Sequence, residues 1–476
     1  MNTLQTTTSA ESTPRFELPA DDAMRPPGPR GLRATARAMI HLRGDFLSFL
    51  ESLQSEYAGE SLDPVVFTLG GQRMAFVSRP AHIHRVLTDT DTFTRTVKYM
   101  NAFRRALGYN IITVPNSQWK PVRKRTASYF SGKALHEYAD VVVQAIDYHS
   151  LPGLERLARS GERFELFDEM LDVASIAAYA AFLGERVDTI PPEAYRALNR
   201  IFCFVRRNMF TYYLPPLWVP TPQNRDLRRD LELVRGDLRQ RIEAQRDRQT
   251  MMGDIVRTHT GADGETDLQK VLDETIANLV GGSETTIILM AWTLYYLVQE
   301  PAVEAKLLDE IAAVVGDEVP TLEHLKRMPY LKLVITEALR LRSPAYVSSR
   351  MTTRDVSLGG FRLENDTMVF VSQYVTHRDP SIWSEPEAFR PERFAEDSPE
   401  ALSKRRGEMP YFPFGGGAFF CLGMHYAVNE AELLVIMLLR RFRFEIADRE
   451  SFDAVGLDAR LTLRPDRPID LHVYSR

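Results

Sequence analysis

The chain has 476 residues, and 59 lysines and arginines against 64 aspartates and glutamates leave a formal net charge of −5. With 44% hydrophobic and 26% charged residues it has ample apolar material for a large core, and so mild an acidic balance excludes a general nucleic-acid binder. Only two cysteines are present, Cys203 and Cys421, which excludes a disulfide framework and any four-cysteine zinc or iron–sulfur site and fits a reducing, cytoplasmic setting.

Met1–Met24 is rich in Ser, Thr and acidic residues and lacks the apolar stretch of a signal peptide, so a disordered tail is expected over 1–25. Pro26-Pro27-Gly28-Pro29 then makes a stiff start to the body. Val65–Leu69 and Met74–Val77 flank Gly70-Gly71 as a hairpin would. Helical periodicity runs over Asp226–Arg248 and over Asp267–Gln299, which Pro301 stops, and again over Tyr330–Leu341. Val356–Leu358, Gly359-Gly360 and Phe361–Leu363 predict a second hairpin, and Leu422–Arg441 a last long helix. The longest uncharged apolar run, Ile287–Val298, falls short of the ~20 residues that a bilayer span needs. No repeat or linker divides residues 26–476. The expected fold class is therefore mainly α with small β-sheets, built as a single domain over 26–476.

Several common chemistries leave no trace. There is no G-x-x-x-x-G-K-[ST] phosphate loop, no H-E-x-x-H zinc helix and no G-x-S-x-G nucleophile elbow. His82 and His84, two apart, face different sides of a helix and could not share a metal there. Cys421 differs from Cys203 in its surroundings. Gly415, Gly416 and Gly417 precede it, Phe414, Phe419 and Phe420 flank it, and a helix is expected just after it. Bare glycine backbone permits close approach to a flat partner, and a helix N-terminus favours thiolate over thiol. That setting suits the iron of a macrocycle. The plain alternative is an inert buried cysteine, which is the reading for Cys203 in its apolar run Ile201–Val205.

Phe414, Gly417, Cys421 and Gly423 spell F-x-x-G-x-x-x-C-x-G, and with them the sequence resembles the cytochrome P450 superfamily of haem-thiolate monooxygenases. Further signatures follow in that superfamily's order. Glu337 and Arg340 match E-x-x-R, and Arg393 lies in Phe389–Phe394, the segment that supplies a third charged partner. The implied role of the three is structural, bracing the core beneath the cysteine loop. Taken alone, the pair could equally be a surface ion pair of about 0.2–0.5 kcal/mol. Gly281-Gly282-Ser283-Glu284-Thr285-Thr286 matches [AG]-G-x-[DE]-T-[TS], which implies that Thr285 orients bound dioxygen and that Glu284 relays protons. Its plain alternative is a helix bend with a back-bonded hydroxyl. Trp119 and Arg123 match W-x-x-x-R and share a helix face, which implies donors for a haem propionate, and Arg350 occupies another such position. One departure stands out. Phe419 occupies the place where members usually carry Arg or His against a propionate.

The resemblance implies haem b as cofactor and insertion of one oxygen atom from dioxygen into an apolar or amphipathic small molecule, of the kind met in secondary metabolism. No flavin or nucleotide motif is present, so a separate ferredoxin or flavodoxin-type donor with its reductase is implied. Lys404, Arg405 and Arg406, with Lys124 and Arg125, form a candidate basic patch for it, or else a solvated charge run. Phe202, Phe204, Phe210, Tyr212, Tyr213, Leu214, Leu217 and Trp218 fall where the superfamily's lid lies and suggest an apolar ligand, although such a run is as often plain core. Arg206 and Arg207 could meet a substrate carboxylate or lie on a solvated helix face. Three rivals stay open at this point: a haem-thiolate enzyme of rearrangement or reduction, a non-catalytic haem-binding protein, and a haem-free helical scaffold.

Overall fold

The structure of the protein, a computed structural model, describes residues 23–29, 46–57, 63–69, 71–96, 100–130, 132–184, 190–208, 211, 214–395 and 408–476. Of the expected tail, residues 1–22 lie outside this set, whereas Met24 pairs by backbone hydrogen bonds with Gly360 and Arg362. The fold is mainly helical with small sheets at its margins.

Strand β1 (Val65–Leu69) turns through Gly71, at φ +83°, into β2 (Gln72–Val77), as the alternation there predicts. Helix α1 (Pro80–Thr88) and strand β3 (Phe93–Arg95) follow, then α2 (Asn116–Ser128), α3 (Gly132–Ala145), strand β4 (Arg163–Glu165) and α4 (Leu166–Leu183). Next come α5 (Pro192–Asn208), α6 (Pro222–Gln245), α7 (Leu268–Gln299) and α8 (Pro329–Leu341). Strands β5 (Ser348–Thr352), β6 (Val356–Leu358), β7 (Phe361–Leu363) and β8 (Met368–Val371) lead to α9 (Met424–Arg441). Strands β9 (Phe442–Ile446), β10 (Leu457–Ala459), β11 (Leu463–Pro465) and β12 (Asp470–Ser475) end the chain. Between β6 and β7, Gly359 and Gly360 take φ +61° and +80°, the left-handed pair that a tight two-residue turn of this hand needs.

The principal sheet has the order β1-β2-β8-β5-β3, with β2 and β8 parallel and every other pair antiparallel. It brings Arg95 opposite Arg350 across β3 and β5. The last sheet runs β4-β12-β9, and β10–β11 is a separate hairpin.

Helix α7 organises the rest. Asp267 caps it by accepting a hydrogen bond from the Lys270 N–H, and Pro301, which lacks an N–H, opens the following helix as well as ending this one. From Val271 to Leu297 nearly every side of α7 is buried, as suits a helix passing through a core, and it packs on α4, α8 and α9. Among the described residues no helix is long and apolar enough to cross a membrane.

Candidate active site

The loop before α9 doubles back tightly: the Gly415 N–H donates to the Phe412 carbonyl, and the Cys421 N–H to that of Phe414 at 3.1 Å. Gly415 and Gly417 take φ +73° and +65°, which side chains other than glycine rarely adopt. The glycines do not all serve the purpose expected of them. A Cβ on Gly417 would stand 2.1 Å from the Leu87 carbonyl oxygen, and one on Gly416 2.7 Å from the Met409 sulfur. Those two therefore let the loop press on α1. Gly415 faces the cavity described next.

Between this loop and the middle of α7 lies a cavity of about 460 Å³ with a mostly apolar lining. Cys421 faces it together with Phe414, Phe420 and Gly423. Cys421 is exposed towards the open cavity, yet the atoms packed around its sulfur desolvate the thiol and push it up from its ordinary value, while the Gly423 N–H and the Arg123 charge pull it down. Desolvation wins, so the helix terminus does not by itself secure a thiolate. A coordinated metal cation would, because coordination deprotonates a thiol outright. Cys203 sits half-buried on α5, outside the cavity lining.

Across the cavity, Gly281, Gly282, Thr285 and Thr286 present one face of α7. The Thr285 hydroxyl donates to the Gly281 carbonyl at 2.9 Å, and a Cβ on either glycine would meet nothing within 4 Å. This face of the helix is open. Glu284 behaves differently. It is buried outside the cavity lining, where its carboxylate accepts from Arg464 Nε at 2.6 Å and Nη2 at 2.5 Å and from Thr462 Oγ1 at 3.1 Å. The structure thus separates two residues that the motif groups together.

At one edge of the cavity Trp119, Arg123 and Arg350 converge, with Arg95 as a fourth donor that sequence reasoning missed. Arg95 gives its guanidinium to the carbonyls of Ile111, Ile112 and Val114, and Arg123 bonds the Phe420 carbonyl at 2.6 Å. Arg350 is 8% exposed, its guanidinium donates to the neighbouring Ser349 carbonyl, and its buried Nε has no partner among the described residues. Burial pushes Arg95 down to about 10, and burial together with the Arg95 charge does the same to Arg350. Among the described residues no carboxylate pairs with Arg95, Arg123 or Arg350. Desolvated cations without an anion are costly, so this edge is complementary to an anionic group that the protein does not itself supply.

Phe419 lies among these donors. Its ring meets Trp119 edge-on at 4.5 Å, and the Arg350 guanidinium stands 4.9 Å over its face. The phenylalanine therefore packs both donors into place.

Behind the loop, Glu337 and Arg340 on α8 and Arg393 are completely buried. Arg340 and Arg393 both donate to the Glu337 carboxylate at 2.8–2.9 Å. Arg340 also donates to the His377 carbonyl, and His377 Nε2 accepts from the Phe412 N–H at the start of the cysteine loop. The three charges touch the loop through one intermediary and stay clear of the cavity lining.

Other sequence expectations fare unevenly. Phe202 and Phe204 belong to the main core and do not line the cavity, Trp218 is 77% exposed, and Phe210, Tyr212 and Tyr213 lie outside the described residues. Of that run, the described residues do not line the cavity. Arg206 pairs with Asp458 instead of facing the cavity, and Arg207 is exposed. In the expected basic patch Lys124 is exposed, Arg125 is turned inward to Glu274 at 3.6 Å, and Lys404, Arg405 and Arg406 lie outside the described residues.

Comparison with known proteins places this geometry. Residues 26–471 match the sequence profile of the family described as Cytochrome P450. A putative cytochrome P450 132 of Mycobacterium tuberculosis is 25% identical over 432 residues, covering 86% of this chain and 89% of that protein. Cyclooctatin synthase of Streptomyces melanosporofaciens is 27% identical over 428 residues, covering 87% and 89% respectively. Human cytochrome P450 3A5 is 36% identical over a shorter stretch, 44% of this chain and 42% of its own length, and LUTEIN DEFICIENT 5 of Arabidopsis thaliana is matched over 30% of its length. A cysteine loop and a thinned helix face closing one cavity, in a chain matched by that profile almost from end to end, make this protein a member of the cytochrome P450 family of haem-thiolate monooxygenases.

Proposed function

We propose that the chain binds haem b in this cavity, with the Cys421 sulfur as iron ligand, and inserts one oxygen atom of dioxygen into an apolar or amphipathic small molecule. The observation that carries the reading is the donor set: one thiol facing the cavity, and three desolvated guanidinium groups at its edge that have no carboxylate partner among the described residues. A flat cofactor with an electrophilic metal and two carboxylates complements both. When bound, the haem supplies the oxygen chemistry, and a thiolate ligand favours O–O cleavage.

This chain's residues supply the rest. Arg95, Trp119, Arg123 and Arg350 hold the propionates. Thr285 presents a hydroxyl fixed by the Gly281 carbonyl, in a stretch of α7 where two glycines leave room for small ligands. Glu284 serves as proton relay only after it leaves Arg464, since both its carboxylate oxygens are occupied by guanidinium N–H groups outside the cavity lining. Electrons come from a separate ferredoxin or flavodoxin-type protein and its reductase, for which the exposed Lys124 offers a positive contact. The likeness to cyclooctatin synthase supports a place in secondary metabolism, and the cytoplasm is the compartment that two unpaired cysteines fit.

The deciding experiment is the spectrum of the haem-loaded protein, reduced and exposed to carbon monoxide. The strongly red-shifted Soret band of thiolate ligation is expected in the wild type and in Cys203→Ser and lost in Cys421→Ser. A band that survives in Cys421→Ser and vanishes in Cys203→Ser overturns the reading.

A further inference from the structure

A second cavity, of about 580 Å³ and mostly apolar, lies on the other side of the cysteine loop. Among the described residues Tyr411, Phe412, Phe414 and Phe420 give it four aromatic rings, and Ile335 of α8 and Val428 of α9 close it. Phe414 and Phe420 also line the first cavity, so the loop is a partition between two chambers.

One acidic side chain interrupts the apolar wall. Glu432 of α9 lines the second cavity and is 2% exposed, and its buried Oε1 has no hydrogen-bond partner among the described residues. Nor does its carboxyl form an ion pair among them. Glu430, two positions earlier, faces the first cavity and takes the Tyr138 hydroxyl, so the two acids of α9 serve different chambers. The charges nearest Glu432 are Lys332 on α8, which is exposed, and Glu310 on the helix Pro301–Val314, which already accepts from the Tyr330 and Leu331 N–H groups. Burial pushes the Glu432 carboxyl up to about 7; Lys332 opposes the rise and Glu310 adds to it. Buried polar atoms are nearly always hydrogen-bonded, and an acceptor left open in an apolar hollow is the mark of a site that awaits a donor.

The surroundings narrow what that donor belongs to. Four rings favour an aromatic body, which packs against them edge-on or offset. An anion would meet Glu432 itself. A cation would pass Lys326, Lys332, His136 and His425, all exposed around the same cavity. We propose that this second cavity is a ligand site for a small neutral aromatic molecule carrying one O–H or N–H donor, of the phenol or indole kind, whose donor meets Glu432 Oε1 while its ring lies among the loop aromatics. The site is distinct from the haem cavity and does not depend on the oxygen chemistry proposed above.

Indole and indene test it, being alike in shape while only indole has an N–H. In titration calorimetry on the full-length haem-loaded protein, indole should bind with a dissociation constant below about 1 mM, and indene about tenfold or more weakly. Glu432→Leu replaces an unpartnered carboxyl by an apolar chain of similar size, and should abolish the preference by weakening indole to the level of indene. Crystals of the wild type soaked in 5-bromoindole need no variant, because the anomalous signal of bromine locates the ligand. Bromine in the second cavity, with the ring nitrogen within hydrogen-bond reach of Glu432, supports the proposal whether or not the first cavity is filled as well. Bromine in the first cavity alone, indene bound as tightly as indole, or equal indole affinity in wild type and a folded Glu432→Leu overturns it. Bromine in the second cavity without measurable affinity in solution is binding at crystal concentration only, and overturns it too. Should Glu432→Leu fail to fold, the indole–indene ratio and the bromine position decide.

Discussion

Thr285 and Glu284 are neighbours in a single motif, and α-helical geometry sends them apart: successive residues are rotated by about 100°, so one hydroxyl meets the cavity and the adjacent carboxylate meets β11. Thr285→Ala should therefore bind haem normally while diverting electrons to peroxide, with product formation falling by roughly 10²-fold. Product per NADPH consumed, for any compound that gives a type I spectral shift, checks it; wild-type coupling would count against the residue. Phe419 invites a second test, because its ring touches Trp119 and Arg350. Phe419→Ala should release haem faster to apomyoglobin, since both donors lose their packing, while Phe419→His, which keeps a ring and adds a donor, should hold haem at least as well as wild type. Faster loss from the histidine variant would show that shape outweighs the added donor. The cysteine loop was legible because its residues are contiguous, so spacing alone identifies them. Arg95 was not, because a lone arginine on a three-residue strand acquires meaning only when β5 lies beside it. The separation of Glu284 from Thr285 was legible in principle from helical rotation, but the hairpin that captures Glu284 lies far along the chain.

The elements nearest the site are held by charge as much as by apolar packing. Glu337 accepts from both Arg340 and Arg393 with no exposure to solvent, and those arginines spend their remaining donors on carbonyls of His377, Ser384, Glu385, Pro386 and Ala388. Glu337 sets one negative charge against two buried guanidinium groups, so Glu337→Gln leaves both uncompensated and should lower unfolding stability by about 3–5 kcal/mol. A denaturant midpoint that falls with an unchanged slope would report it, and a shift below about 1 kcal/mol would refute it. The apolar character of α8 suits this burial, whereas the carbonyl partners come from irregular backbone that no periodicity reveals. The β6–β7 hairpin was legible to the residue, since Gly359 and Gly360 sit where φ is positive, whereas β2 starts at Gln72, two residues ahead of the expected Met74. Helix ends were less so: α6 starts at Pro222, ahead of Asp226, because proline is well tolerated in a first turn and Thr221 caps it.

Across the whole molecule, buried carboxyls give stability a pH dependence that net charge does not suggest. Glu430 on α9 is 1% exposed and accepts from the Tyr138 hydroxyl at 2.5 Å, and burial pushes its carboxyl up to about 8. Glu432 and Glu169 are raised to about 7, again chiefly by burial. A raised carboxyl binds a proton in the folded state that the unfolded chain has already lost. Stability from such a group is therefore full below the unfolded value and falls as pH rises toward 8, by at most about 1.4 kcal/mol per pH unit for each group. Glu430→Gln keeps the Tyr138 partner and removes the titration. Unfolding free energy measured from pH 5 to 8 should decline less steeply in the variant, and identical slopes would contradict the burial of that carboxyl.

The donors at the cavity edge come from β3, α2 and β5, and the sulfur from the loop before α9, so Arg95 leaves the ribosome long before Cys421 does. On the proposed haem site, capture of the cofactor is a late event in synthesis. Until it occurs, the nascent chain carries three cations in a partly formed apolar edge with no anion to meet them, a state open to proteases and to aggregation. Supply of haem, more than translation, should then set how much of this protein a cell accumulates, and a haem-starved cell should lose it by degradation rather than store it as an apoprotein awaiting its cofactor.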